Sequence, residues 1–424
     1  GIWLLAVNGM IGSGIFGVPG AAARLGGDWA PWLYLGCAVL ILPILLSFGE
    51  LASRVRHTGG PMDATVAFGP LVGFQAGWLF YVARLVATAA GSILFLDNLA
   101  YFWPAANVGG TRLALLACIL ASLTLVAVAG SRGAIRALGS VTALKLAIPL
   151  VLVAVGMPEL FADAAPPALP GPDTHDLGAA TLLLMFAFVG FESAVVPAGE
   201  ARRPERDMPW ALLVSLAIVG VLYFAIQGIS QASFPGLADS SAPLLDVADA
   251  LLGRAGALML MAGMLVSTLG SLVGATFSTP RITYALALDG RLPAWFGHVH
   301  PRFLTPANST VAYSGVTFLL AVTGSFAWLA AGSVLMRLLI YIVVCTAVPV
   351  LRRKSVAPGS FTLPGGMLIP LGGVIASAWL LTQVSGDAMR LTLAFVVAGS
   401  LLYWVARRGS ASSPATTPAG TLRG

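Results

Sequence analysis

The chain alternates between long apolar runs and short polar segments. Twelve of these runs have about the 20 residues that a helix needs to cross a bilayer. They fall at about 1–23, 31–52, 65–96, 112–130, 137–157, 177–199, 209–231, 255–288, 308–328, 333–351, 365–385 and 388–406. The third and eighth runs are longer than one span, which indicates tilted helices or helices that extend beyond the membrane. Since such helices are apolar all round, their periodicity gives little information.

Composition points to the same class of protein. The 424 residues are 58% hydrophobic and only 9% charged, whereas a soluble domain has about 25% charged residues. We therefore predict an all-α polytopic membrane protein with about 12 transmembrane helices. The net charge of +6 does not indicate nucleic-acid binding, because the basic residues flank loops and form no patch. The three cysteines lie in apolar runs without metal or disulfide spacing, so we expect no cofactor and no metal.

The basic residues predict how the chain is oriented. With the N-terminus inside, the cytoplasmic segments contain fifteen Lys and Arg residues and the opposite side contains four, a strong positive-inside bias. The loop 158–176 has four acidic residues and no Lys or Arg, as expected for an external loop. Because the chain starts at Gly1 within a predicted helix, we expect a native cytoplasmic segment before it. The tail 410–424, rich in Ser, Thr, Pro and Ala, is predicted to be disordered.

Gly12, Gly14 and Gly17 form a G-x-G-x-x-G pattern, which is the fingerprint of dinucleotide-binding folds. That fingerprint requires a preceding strand, a following helix and a later acidic residue, but here the glycines interrupt an apolar span. Non-helical backbone survives in a membrane only where it is buried in protein or lines a polar cavity. The glycines therefore indicate a helix break whose free N–H groups favour a carboxylate. Close helix packing through small residues is the alternative interpretation.

The sixth span contains a second interruption, at Gly190 and Glu192. Broken helices at corresponding positions in two halves of a chain indicate a transporter binding site. The two breaks are five spans apart, which predicts an inverted five-plus-five repeat. Its halves are residues 1–157 and 177–351, and two extra helices follow within 365–406.

Three segments carry a resemblance to a known family: "IGSGIF" in the first span, "FVGFESAVVPAGEARRPERDMPWA" from the sixth, and "TPRITYALALDGRLPAWFGHVHPRFLTP" from the eighth. They resemble the signatures of bacterial amino acid permeases of the amino acid–polyamine–organocation (APC) superfamily. The resemblance covers nearly the whole chain. It implies a LeuT-type fold with helices 1 and 6 broken, a place in the bacterial inner membrane, and substrate held between helices 1, 3, 6 and 8.

The resemblance also implies a set of substrate-binding residues. Backbone amides in the first break and the Ser13 hydroxyl would hold the substrate carboxylate, and carbonyls from Phe186 to Gly190 would receive its ammonium group. Phe186 and Phe188 are candidates for an aromatic gate, with ordinary packing as the alternative for both. The expected substrate-binding residues are Ile11, Gly12, Ser13, Gly14, Phe186, Phe188, Gly190, Glu192, Ala275 and Thr276.

Charged residues within spans are costly and usually functional. Lys145 matches a fifth-helix lysine of many family members, where it takes the place of sodium in sodium-coupled relatives. A desolvated lysine gives up its proton readily, so Lys145 is either the proton-coupling residue or a structural strut. Glu192 is a second candidate proton carrier, a ligand for a cationic substrate, or a partner of Arg84 or Arg337. Arg84 either pairs with Glu192 or biases the pocket toward acidic substrates.

The function expected from the resemblance is secondary active transport of an amino acid, with proton symport favoured and amino acid/amine exchange as the alternative. Arginine-carrying members have tryptophans at the positions of Phe186 and near Ala275, so a neutral and bulky apolar amino acid is the expected substrate. A membrane-embedded enzyme is disfavoured because all four histidines lie in loops and no span contains a catalytic constellation. The expected partners are the amino acid, protons and membrane lipids. Monomer and homodimer both remain open.

Overall fold

The computed structural model describes residues 2–12, 14–54, 64–130, 145–159, 174–195, 204–354, 362–363 and 365–411. Within these ranges the regular structure is helical and there is no strand. Seven helical stretches in the described part are long and apolar enough to cross a membrane, and shorter apolar helices accompany them. The chain is therefore an all-α polytopic membrane protein, which confirms the predicted fold class.

The first five predicted spans correspond to eight helices, because the first span is broken and the third has a short helix before it. They are α1 Ile2–Met10, α2 Gly14–Gly17, α3 Pro19–Gly26, α4 Ala30–Arg54, α5 Ala64–Phe68, α6 Pro70–Ala100, α7 Gly109–Ala129 and α8 at 145–159. The predicted start of the fifth span, 137–144, lies outside the described residues.

The remaining seven spans correspond to nine helices. They are α9 Thr174–Phe188, α10 Glu192–Val195, α11 Pro204–Ser233, α12 Pro243–Ser278, α13 Pro280–Leu288, α14 Ala307–Thr323, α15 Phe326–Arg353, α16 Leu368–Thr382 and α17 Gly386–Ala411. Residues 412–424 of the predicted tail lie outside the described part. The division into inverted repeats stays a prediction.

Two predicted boundaries differ most from those observed. The eighth span was expected to begin at residue 255, but α12 starts at Pro243 and is bent at Gly253, whose φ of 67° is open mainly to glycine. The gap expected between the ninth and tenth spans, after residue 328, lies at 324–325 instead. There the side chain of Ser325 accepts a hydrogen bond from the Trp328 amide at 3.3 Å and caps the start of α15.

The helices differ in how much of their surface they bury. α6 is largely buried, and it packs extensively against α15, as α4 does against α11. In α7 and α17 only 22% of the most apolar stretch is buried, as expected for helices that face lipid. The core of the molecule therefore lies around α1, α6, α9 and α15, where both helix breaks are found.

Candidate functional site

The first break releases backbone groups from helical hydrogen bonding. After α1 ends at Met10, the Gly12 amide donates to the Met10 carbonyl at 2.8 Å and not to the Asn8 carbonyl four residues earlier. The Asn8 oxygen thereby loses its usual intrahelical donor. The predicted break is thus present, and it exposes a carbonyl as well as amides.

The second break is a three-residue turn, 189–191, between α9 and α10. Gly190 has a φ of 113°, a conformation that only glycine adopts readily. Its amide donates to the Glu192 carboxylate at 2.7 Å. A Cβ added at Gly190 would lie 2.2 Å from the Gly9 carbonyl oxygen, so a larger residue would collide with the first break. The turn therefore requires glycine for its conformation and for the close approach.

The two breaks contact each other elsewhere too. A Cβ added at Gly14 would lie 2.8 Å from the Cα atom of Ala187. The buried Tyr223 hydroxyl, from α11, lies 2.9 Å from the Met10 carbonyl oxygen and 3.1 Å from that of Ala187. Tyr223 thus joins the chain ends that precede the two breaks.

A cavity of about 350 Å³ lies beside the breaks, between α1, α6, α8, α9, α12 and α15. Six of the residues expected from the sequence line it: Gly12, Gly14, Lys145, Phe186, Gly190 and Ala275. The Phe186 ring meets that of Phe326 edge-on, with centroids 5.8 Å apart. Of the two candidate gate residues, Phe186 is the one at the cavity.

The other expected residues are placed differently. Phe188 does not line the cavity; it packs against Tyr34 and Tyr223 in a buried aromatic cluster. Thr276 does not line the cavity either, and its hydroxyl donates to the Leu272 carbonyl of its own helix. Ile11 is fully buried beside the cavity wall. Ser13 lies outside the described residues.

Lys145 lies at the first break. Its ammonium nitrogen is 2.9 Å from the Asn8 carbonyl oxygen and 3.1 Å from the Ser271 hydroxyl. This acceptor lies one turn before Gly12, and it is available because the Gly12 amide donates to Met10 and leaves the Asn8 carbonyl without its helical donor. Among the described residues, Lys145 has no acidic partner within salt-bridge distance.

Glu192 is buried and pairs with Arg337 of α15, so of the two arginines that the sequence left open, Arg337 is the partner. Its Oε1 lies 3.3 Å from the Arg337 guanidinium and 2.5 Å from the Tyr341 hydroxyl. With the Gly190 amide on Oε2, the carboxylate has a charged partner and two neutral donors. Glu192 itself does not line the cavity, but Arg337 does.

Arg84 also lines the cavity but is held by neutral groups. Its Nε lies 2.9 Å from the Thr279 hydroxyl, and one terminal nitrogen lies 2.9 Å from the Ser278 hydroxyl. These bonds join α6 to the junction of α12 and α13. Arg281 of α13 donates to the Phe277 carbonyl near the end of α12.

Three hydroxyl residues of α12 were missed by sequence reasoning: Ser267, Thr268 and Ser271 all line the cavity. The Ser267 and Thr268 hydroxyls are buried and have no hydrogen-bond partner among the described residues. The signal was available in "LVSTLGSLVG", since polar side chains in a membrane helix usually face protein or cavity. The helix phase, which decides between these residues and Thr276, was not readable from an all-apolar span.

Comparison with known proteins gives the family. The sequence model of the amino acid permease family matches residues 2–406. Among curated relatives, the methylthioribose transporter of Bacillus subtilis is 27% identical over 96% of this chain and 92% of its own length. The branched-chain amino acid permease of Bacillus subtilis is 25% identical over 96% and 91%. The cadaverine/lysine antiporter of Escherichia coli is 28% identical over 59% and 57%.

The family match and the architecture agree. The match runs through both helix breaks and the cavity between them, and the relatives carry small molecules across membranes and are not enzymes. The chain therefore belongs to the amino acid permease family of the APC superfamily and is a multi-pass membrane transporter.

Proposed function

We propose that this chain imports an amino acid across a bacterial cytoplasmic membrane by proton symport and alternating access, with both termini in the cytoplasm. The observation that carries the coupling is the contact of Lys145 with the Asn8 carbonyl at the first break. It connects a titratable group on α8 to the helix that would have to move when the site opens.

The two helix breaks offer backbone groups that match the carboxylate and the ammonium group of an amino acid. Amides at the start of α2 would hold the carboxylate, because a helix N-terminus favours an anion. Carbonyls that end α9 would receive the ammonium group. Gly12, Gly14 and Gly190 line one cavity, so a single ligand reaches both sets of backbone groups.

Coupling follows from the bonds of Lys145. The protonated ammonium donates to Asn8 and to Ser271, and so ties α1 to α8 and α12. A neutral amine is a weaker donor, so loss of the proton loosens α1 and links protonation to the opening of the site. Symport results if substrate binds best to the protonated outward-facing form and both leave inside.

The substrate was expected to be neutral, bulky and apolar. The absence of acidic residues among the described lining residues supports the exclusion of cationic amino acids and polyamines. The hydroxyls of Ser267 and Thr268 make the wall more polar than a bulky apolar side chain would favour. We therefore retain an amino acid without a cationic side chain as the substrate class.

Exchange is the second candidate. Lys145 has two good acceptors and no acidic partner among the described residues, as a permanently charged strut would. An antiporter is also among the relatives. In an exchanger, a second amino acid or amine on the far side drives uptake, and a pH gradient alone does not.

Uptake into proteoliposomes distinguishes proton symport from exchange. We expect wild-type protein to concentrate radiolabelled amino acid when only an inward proton gradient is imposed. Lys145→Ala and Lys145→Arg should both lose this response, the first for want of a proton site and the second because its charge is permanent. Lys354→Ala, which removes a lysine that does not line the cavity, serves as the matched control and should keep the response. Uptake that persists in Lys145→Ala, or that requires internal substrate in the wild type, would contradict symport through Lys145.

Orientation is tested by thiol labelling in cells, in a Cys118→Ser background. A cysteine at Asp28, in the turn after α3, should react with an impermeant reagent added outside. One at Arg291, after α13, should not. The opposite pattern would reverse the topology.

A further inference from the structure

The wall opposite the two helix breaks has a distinct chemistry. The breaks on α1 and α9 would take the main-chain groups of an amino acid, so its side chain points across the cavity toward α6, α12 and α15. That wall includes Arg84, Arg337, Ser267 and Thr268. The side chain would therefore meet two guanidinium groups and two hydroxyls.

The two arginines lie close together. The Ser333 hydroxyl, one turn before Arg337, donates to the carbonyl of Ala83, the neighbour of Arg84, at 2.9 Å. This bond places both arginines at the same contact between α6 and α15. Both also line the same cavity.

The cationic groups of the cavity exceed its acids. Arg84, Arg337 and Lys145 all line it, and no Asp or Glu is among the described lining residues. Glu192, behind Arg337, compensates one positive charge at most. The Arg337 Nε is buried and has no hydrogen-bond partner among the described residues. Arg84 uses only its Nε and one terminal nitrogen in hydrogen bonds there.

Uncompensated positive charge within a membrane protein is costly, and a ligand that brings negative charge removes part of that cost. A carboxylate also matches the planar donor geometry of guanidinium groups and accepts from the free hydroxyls. We propose that the preferred substrate is an acidic amino acid, whose side-chain carboxylate binds between Arg84, Arg337 and the Ser267–Thr268 pair. This rests on the proposed amino acid transport and narrows its substrate class, an amino acid without a cationic side chain, to an anionic one.

Binding to purified protein tests the proposal directly. Glutamate and aspartate are titrated against their amide isosteres glutamine and asparagine, with leucine and lysine as further arms, at one pH and ionic strength. In the wild type we expect the acidic member of each isosteric pair to bind at least about tenfold more tightly, the equivalent of one charge-assisted hydrogen bond. Lysine should bind most weakly.

Variants then test whether the wall opposite the breaks causes the preference for acidic over amide side chains. Arg84→Gln should reduce the acid-to-amide affinity ratio toward one, and Arg84→Lys should retain part of it because the charge remains. Thr268→Val removes one hydroxyl at constant shape and should lower the ratio by a smaller factor. It also supplies the test if Arg84→Gln does not fold, as judged by its melting without ligand.

The outcomes are distinct. A wild-type protein that binds glutamine or leucine as tightly as glutamate overturns the anionic substrate and leaves amino acid transport intact. A ratio that survives both Arg84→Gln and Thr268→Val in full overturns the assignment to this wall. If no amino acid of any class binds or is transported, the proposed function fails as well.

Discussion

Two glutamates, each buried against an arginine of α15, behave differently in this molecule. Glu192 lies at the second helix break, pairs with Arg337, and has two neutral donors beside it. Glu50 lies near the end of α4, where the chain is predicted to reach the cytoplasm, and pairs with Arg352. Both are inaccessible to solvent, so burial alone does not distinguish them.

The partners do. Both oxygens of Glu50 bind Arg352, at 2.7 and 2.5 Å, and Arg54 and the Leu363 amide add donors at 3.0 Å. Arg352 also donates to the Gly366 carbonyl. This set of contacts connects α4, α15 and the chain that follows α15. Such a saturated network fixes helix ends relative to one another.

The Glu192 network is smaller and incomplete. Its arginine lines the cavity and keeps a buried Nε without a partner among the described residues. The comparison teaches that a buried ion pair with spare donors beside a cavity indicates a binding site, whereas a fully satisfied one at a helix end indicates a structural clamp.

The largest expected effect, on substrate binding, comes from disrupting the turn that positions Glu192. Gly190→Ala places a Cβ 2.2 Å from the Gly9 carbonyl oxygen at a φ of 113°, so the turn that holds Glu192 against the first break cannot keep its shape. We expect substrate binding to be lost, as measured by equilibrium binding to purified protein. Gly315→Ala, on α14 with open space around it, is the control and should bind normally. Wild-type affinity in Gly190→Ala would show that the contact between the breaks is not needed.

The second largest effect is expected on stability, at the Glu50 clamp, the network that Glu50 forms with Arg352, Arg54 and the Leu363 amide. Glu50→Gln leaves Arg352 without its buried counter-charge, and removal of one member of such a pair costs about 3–5 kcal/mol. We expect a clear fall in melting temperature with little change in relative affinity among amino acids. Asp387→Asn is the control, since its pair with Arg390 is exposed and should not affect melting. A change in substrate preference in Glu50→Gln would contradict a purely structural clamp.

The smallest effect is expected from Tyr341→Phe, which removes one neutral donor from Glu192 and leaves Arg337 and the Gly190 amide in place. A hydrogen bond to a charged group is worth about 1.5–3 kcal/mol. Thermal unfolding should show a smaller loss than in Glu50→Gln. An equal loss would mean that the Glu192 network is as structural as the clamp, and the distinction drawn between the two would be wrong.

Sequence reasoning identified what depends on composition and on special residues. Apolar length predicted the spans, and glycines within apolar runs predicted both breaks, because few other residues interrupt a membrane helix. It did not identify which faces point inward: Thr276 and Phe188 were expected at the cavity, where Ser267 and Thr268 lie instead. An all-apolar helix carries no periodic signal for its rotation. The Glu50 clamp was missed because two of its donors, Arg352 and the Leu363 amide, are more than 300 residues away.

The Tyr223 hydroxyl has one hydrogen and two carbonyl oxygens within reach, at Met10 and Ala187. At any instant only one of them receives that hydrogen in full, and the other is left with a weaker contact in a place without water. The two breaks therefore compete for a shared donor. A shift of a few tenths of an ångström in either segment changes the strength of the bond to the other, so neither break has a stability of its own.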